Sequence, residues 1–186
     1  FMNDWVQRKP LRLRGYDYGK PGYYFVTVCT AVRGETILAE ISPEPQTVGA
    51  AALGGPSPIF AGPGLNAPAN WTITLTDIGM VVRQHIENIN TTYGERAGID
   101  CYVIMPDHVH IVVWIHTLGN RPPRAAAPTV TLSGIVNALK GLSSKKAGYR
   151  LWQRSYYDHI IRSQEDLEAT RQYILDNPQK WILSRE

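Results

Sequence analysis

Residues 99–115, IDCYVIMPDHVHIVVWI, constrain the fold more than any other part of the chain, because two apolar, β-branched runs flank a Pro-Asp step. Pro106 lacks an N–H and fits neither a ladder nor a helix interior. The pattern therefore predicts two strands, IDCYVIM and HVHIVVWI, folded into an antiparallel hairpin about Pro106 and Asp107. Strand side chains alternate, so His108, His110, Val112, Trp114 and His116 share one face. Val109, Ile111, Val113 and Ile115 share the other, which is expected to pack against helices.

The remaining elements arrange themselves around that hairpin. GYYFVTVCT (22–30) is aromatic and β-branched and follows a Lys-Pro-Gly turn, the signature of a first strand. Residues 42–70 carry six prolines, five glycines and a single charge, Glu44, and are expected to be a mobile insertion that is neither helical nor ladder-paired. After Thr76-Asp77, the positions Ile78, Val81, Val82, Ile86 and Ile89 form one apolar stripe down to about Tyr93, predicting a helix. A Pro-rich loop at 118–128 precedes a second helical stripe, Leu132, Ile135, Val136, Leu139 and Leu142. LWQRSYYDHIIR has strand composition. Ser163-Gln164-Glu165-Asp166 then opens a third helix, expected to end near Asn177 because Pro178 follows. The order β, α, β, β, α, β, α predicts an α+β fold: a ferredoxin-like βαββαβ antiparallel sheet with an added C-terminal helix, in one domain over 1–186.

Composition narrows the function classes. No apolar run approaches the ~18 to 20 residues of a membrane span, and the N-terminal stretch lacks a secretory pattern, so a cytoplasmic protein is expected. Cys29 and Cys101 sit singly in strand-like runs and read as small core residues. Net charge is only +3, but positive residues cluster at Arg8, Lys9, Arg12 and Arg14 and again at Lys140, Lys145, Lys146, Arg150 and Arg154. Such clustering fits a polyanionic partner; ordinary solvated surface charge fits it as well.

Two of the five histidines stand side by side on the predicted strand, about 6 to 7 Å apart at Cα, from where both rings can converge on one divalent ion. Half-exposed strand histidines bonded to neighbours would show the same short string. The C-terminal helix can complete a site. Tyr173 and Asn177 are four apart on one helical face, placing an amide oxygen as a further ligand and a phenol one turn away as a nucleophile. Taken singly, the tyrosine also suits packing and the asparagine suits a helix end before proline.

MPDHVHIVVW followed by YYDHIIRSQEDLEATRQYILDNPQKW, together with the opening RLRGYDYGKPGYYFVTVCT, resembles the single-tyrosine HUH transposases, in the branch associated with repetitive extragenic palindromes. The resemblance covers most of the chain outside the two Pro/Gly-rich stretches. It implies that His108-Val109-His110 and Asn177 hold Mg²⁺ or Mn²⁺ and that Tyr173 is the nucleophile. It further implies an enzyme that cleaves and rejoins single-stranded DNA at hairpins through a 5′-phosphotyrosine, acting as a monomer or homodimer without a nucleotide cofactor. Consistent with the last point, the chain has no Gly-rich Lys-Ser/Thr phosphate loop. Arg8, Lys9, Arg12, Arg14, Lys140 and His159 are candidate DNA contacts, and His159, Asp158 and Lys140 are candidate bases for a phenol that is a weak nucleophile at neutral pH. A hairpin-binding module without catalysis would share the fold. A histidine-triad nucleotide hydrolase would need a third histidine where Val112 stands.

Overall fold

The computed structural model describes Leu13 and residues 15–43, 71–116 and 130–184. The candidate contacts Arg8, Lys9, Arg12 and Arg14, the loop at 118–128 and residues 44–70 lie outside them. The elements are β1 (Gly22–Cys29), β2 (Ala39–Pro43), β3 (Trp71–Leu75), α1 (Asp77–Tyr93), β4 (Ala97–Ile104), β5 (His108–Ile115), α2 (Leu132–Ala147), β6 (Tyr157–Ile161) and α3 (Gln164–Leu183).

Four strands form one antiparallel sheet in the order β4-β5-β1-β6. Each of the two crossings, from β1 to β4 and from β5 to β6, leaves one strand in between, which is the split βαββαβ arrangement expected from the element order. One face carries α1 and α2. Tyr102, opposite Ile111 in the ladder, donates its hydroxyl to Glu87 of α1 at 2.9 Å, and Ser133 of α2 lies 3.2 Å from the Tyr156 hydroxyl. Val82, Ile86 and Ile89 of α1 and Leu132, Ile135, Val136 and Leu139 of α2 are buried against that face with Val109, Ile111, Val113 and Ile115. The other face carries α3 and both hairpin histidines.

Both helices on the first face open on threonine caps. Thr76 accepts from Gly79 N at 3.0 Å and Thr131 from Gly134 N at 3.1 Å. Gly79 also meets a close approach of backbone, since a Cβ there would lie 1.9 Å from the Leu38 carbonyl oxygen. In α2 the expected stripe breaks at its end. Leu142 is exposed and Ser143 is buried in its place, accepting from the Trp152 indole at 2.8 Å and donating to Leu139 O at 2.6 Å. A buried indole N–H needs an acceptor, and serine supplies one where leucine cannot.

Three further expectations are corrected. Ser42 and Pro43 are ladder-paired, opposite Thr72 and Trp71, because β2 and β3 form a second antiparallel hairpin inserted between β1 and α1. The strand expected over 151–162 is confined to Tyr157–Ile161, with Trp152 making only an isolated bridge to Thr30. The third helix does not stop at Asn177 but runs through Pro178 to Leu183. Proline costs a hydrogen bond inside a helix. Here Pro178 is buried, and Trp181 and Ile182 beyond it pack on the core, so burial of the last turns outweighs that cost.

Candidate active site

β5 delivers the two histidines to the α3 face in the alternation expected, and the sheet fixes their rings from behind. His108 Nδ1 lies 2.6 Å from Asp107 Oδ1, and His110 Nδ1 lies 2.8 Å from the hydroxyl of Thr27, its partner in the β1 ladder. With both Nδ1 atoms anchored, both Nε2 atoms turn to one point and stand 3.1 Å apart. Two nitrogens bound to one ion at roughly 2.1 to 2.2 Å are separated by about this distance when they subtend about 90°, the angle between neighbouring ligands of an octahedron.

The electrostatics suit a ligand pair. Burial pushes the His108 pKa down, against the opposing pull of Asp107. Burial, and secondarily the His108 charge, push His110 down to about 3. Both rings are thereby held neutral at pH 7, the form in which imidazole ligates. Burial alone would raise the Asp107 pKa. The bonds from His108 and from the Gly34 N–H at 2.8 Å outweigh it and hold the carboxyl below its usual range. Asp107 therefore accepts from His108 Nδ1–H and leaves Nε2 bare. The Thr27 hydroxyl can either donate to or accept from His110, so it tolerates both tautomers.

α3 lies across the pair. The Tyr173 ring packs edge-on at 5.4 Å from the His110 ring and 5.7 Å from Phe25, with its phenol partly exposed. Asn177 Nδ2 donates to the Tyr173 carbonyl at 2.7 Å, and its side chain borders the same cleft as His108 and His110. Among the described residues no group of three or more His, Cys, Asp or Glu side chains is gathered for a metal. Phe25, Thr27, Arg33, His108, His110, Tyr157, Tyr173 and Asn177 line one cleft of about 390 Å³.

Besides its buried face, α3 is tied to the sheet by an ion pair. Between Ile99 and Cys101 the β4 ladder shifts register, and the intervening Asp100 is aimed at α3, where Arg171 grips both its oxygens, Nε to Oδ2 at 2.8 Å and Nη2 to Oδ1. Tyr173 follows two residues on.

Several participants escaped the sequence reading. Asp107 and Thr27 anchor the imidazoles. Arg33 lines the cleft and bonds Asp107 at 3.1 Å through Nε. Lys180 sits 5.3 Å from the Tyr173 ring centre and Trp181 6.1 Å from the His108 ring, both on the helical turns beyond Pro178. Asp107 was readable as the residue beside His108; the lysine and tryptophan were hidden by the expected helix end. Of the candidate bases, His159 is near, on the same sheet face as Phe25, with Nε2 held 3.0 Å from Asp166. Asp158, opposite Val26, points to the α1–α2 face, and Lys140 on α2 donates to the Arg154 carbonyl at 2.7 Å, so neither is brought to the cleft.

No model of a known protein family matches the chain. An uncharacterized protein of Haemophilus influenzae is 27% identical over 190 residues, covering 94% of this chain and 89% of that one. Among solved structures, a REP-associated tyrosine transposase bound to a REP hairpin superposes with a TM-score of 0.57 over 91% of this chain and 73% of its own, at 18% identity. At that identity what is shared is the fold: an antiparallel four-stranded α+β sheet with a C-terminal helix, the fold of a REP-associated tyrosine transposase.

Proposed function

We propose that the protein is a metal-dependent DNA strand transferase that cleaves and rejoins single-stranded DNA beside hairpins, in the manner of the single-tyrosine HUH transposases. The observation that carries this reading is the convergence of the His108 and His110 Nε2 atoms, 3.1 Å apart, beneath a helix that presents a partly exposed tyrosine and an amide on the same face. The fold shared with a hairpin-bound transposase supports it.

His108, His110 and Asn177 would hold Mg²⁺ or Mn²⁺, which when bound polarises a phosphate and offsets its charge. The protein residues do the rest. The Tyr173 oxygen attacks phosphorus in line, forming a phosphotyrosine bond to the 5′ side while the bond to the 3′-oxygen breaks. The phenol proton leaves to solvent or a neighbouring base, and the 3′-oxygen departs as a hydroxyl after taking a proton. Lys180, beside the Tyr173 ring, supplies positive charge where the phenolate forms. Arg33, one edge of the cleft, offers a guanidinium to phosphate oxygens. The ester retains the energy of the broken linkage, so rejoining needs no nucleotide.

The test is incubation with end-labelled hairpin DNA bearing single-stranded flanks, in Mn²⁺ and in chelator, with denaturing gels to detect a covalent adduct. The expected result is a metal-dependent adduct in the wild type and none in His108→Ala or His110→Ala proteins that still fold. Hairpin binding with no adduct under any metal would instead favour a binding module of the same fold.

A further inference from the structure

Beside the histidine cleft lies a second depression of about 370 Å³ lined by Phe25, Tyr157, His159, Ala169, Thr170 and Tyr173. The two depressions share Phe25, Tyr157 and Tyr173. They are neighbouring compartments with three walls in common. The ladder explains the grouping: Thr27 pairs with Tyr157 and Phe25 with His159, so these residues form adjacent rows on the α3 face.

Two large aromatic rings of this compartment stand open to solvent. Tyr157 is 53% exposed and Tyr173 42%, although both are large aromatics that a core would bury. Tyr156, one residue away, shows the contrast: it is 5% exposed and bonded to Ser133. The floor and walls are aromatic and aliphatic. Thr170 has its hydroxyl turned away to the Asp166 carbonyl at 2.7 Å. The rim is polar, with His159 Nε2 held by Asp166.

The geometry points to a nucleobase pocket: an unpaired base adjacent to the phosphate held at His108 and His110 stacks on Tyr157, with its polar edge toward His159. This deepens the strand-transferase reading and rests on it. The occupant follows from continuity, since a nucleic acid strand whose phosphate lies in one compartment must place its neighbouring base within reach of the next. An exposed aromatic face beside a polar rim is the surface on which single-stranded bases stack without sequence-specific bonds. A pocket of this volume lies in the range that takes a small planar ligand.

The test uses Tyr173→Phe protein, so that binding is read without chemistry, and hairpin DNA in which each flanking nucleotide is made abasic in turn. One position is expected to weaken binding roughly 5- to 150-fold when its base is removed, the range expected for loss of one aromatic stack. Adding Tyr157→Ala should weaken binding of intact DNA by a similar factor and make that abasic position silent, while Tyr157→Phe keeps its sensitivity. Tyr149→Ala, an exposed tyrosine outside both depressions, serves as the control. 2-Aminopurine at the sensitive position should be quenched on binding by protein with Tyr157 intact, a reading that stands even if the alanine variant folds poorly. If hairpin DNA is not bound at all, the strand-transferase reading fails and this inference with it. If DNA is bound but no abasic position is sensitive, or the abasic and Tyr157→Ala losses simply add, the pocket assignment alone is overturned.

Discussion

Arg171 of α3 grips Asp100 of β4 with a two-pronged guanidinium–carboxylate contact across 71 residues of chain. The aspartate side chain is nearly buried and the arginine mostly so. Because the contact is planar and bidentate, it fixes the rotation of α3 as well as its distance from the sheet. Tyr173 and Asn177 thus meet the histidines in a set orientation.

Replacing Arg171 with lysine keeps the charge and loses the fork. The expected outcome is a stability loss of about 1–3 kcal/mol by denaturant melts. The rate of adduct formation should fall by a larger factor than hairpin affinity, because orientation of a nucleophile matters more to reaction than to binding. Equal losses in affinity and rate would show that the pair only holds the fold together.

The two histidines make the metal-free protein acid-sensitive. His110 is held at about 3 in the folded chain by burial and His108 is also lowered, whereas unfolded histidine titrates near 6.5. Below about pH 6.5 the unfolded state therefore binds more protons than the folded state. Stability is fully present above that value and falls with acidification, each ring contributing a slope of up to about 1.4 kcal/mol per pH unit until its folded pKa is reached. Thermal melts in chelator between pH 7.5 and 5 should show this decline, and His110→Gln should flatten it. Parallel curves for the two proteins would contradict the burial argument.

What the sequence revealed was local. The hairpin at Pro106-Asp107, the alternation that pairs His108 with His110, the helix beginning after Thr76 and the Ser163 cap each depend on a few neighbouring residues, and each appears where expected. What it hid was long-range. Ser42-Pro43 joins a ladder whose other strand lies beyond a 27-residue connection, and a proline within a glycine-rich run reads against a strand. Pro178 reads as a helix end because propensity counts the lost hydrogen bond; the structure adds the buried surface of Trp181 and Ile182, which wins. Asp100 meets Arg171 only because a register shift turns it toward α3, and no local pattern announces that.

The β2–β3 hairpin makes residues 44–70 replaceable. Pro43 and Trp71 are ladder partners, so the ends of the segment already lie side by side and a short Gly/Ser turn can join them. The segment brings one charge, Glu44, and so little that could grip phosphate. A shortened protein should keep its melting temperature within a few degrees and form adduct at a rate close to that of the full chain. Loss of either would assign the segment a packing or binding role.

The proposed nucleophile can be separated from its neighbours because three tyrosines near the groove occupy three different environments. Tyr156 is buried on the α2 face with its hydroxyl engaged by Ser133. Tyr157 lines the cleft on a strand beside Thr27, where its ring is placed to stack. Tyr173 alone stands on the helix that also carries Asn177 at i+4, its backbone carbonyl tied to that amide at 2.7 Å and its ring against His110, so the proposed nucleophile and the proposed ligand move as one unit. Removing only its hydroxyl leaves the ring packing on Phe25 and His110 in place. Tyr173→Phe is therefore expected to bind hairpin DNA near normally and to form no covalent adduct, whereas Tyr156→Phe and Tyr157→Phe still form one. Peptide mass mapping of the wild-type adduct decides the matter: phosphonucleotide mass on the peptide containing Tyr173 supports the assignment, and the same mass on a peptide carrying Tyr156 or Tyr157 overturns it.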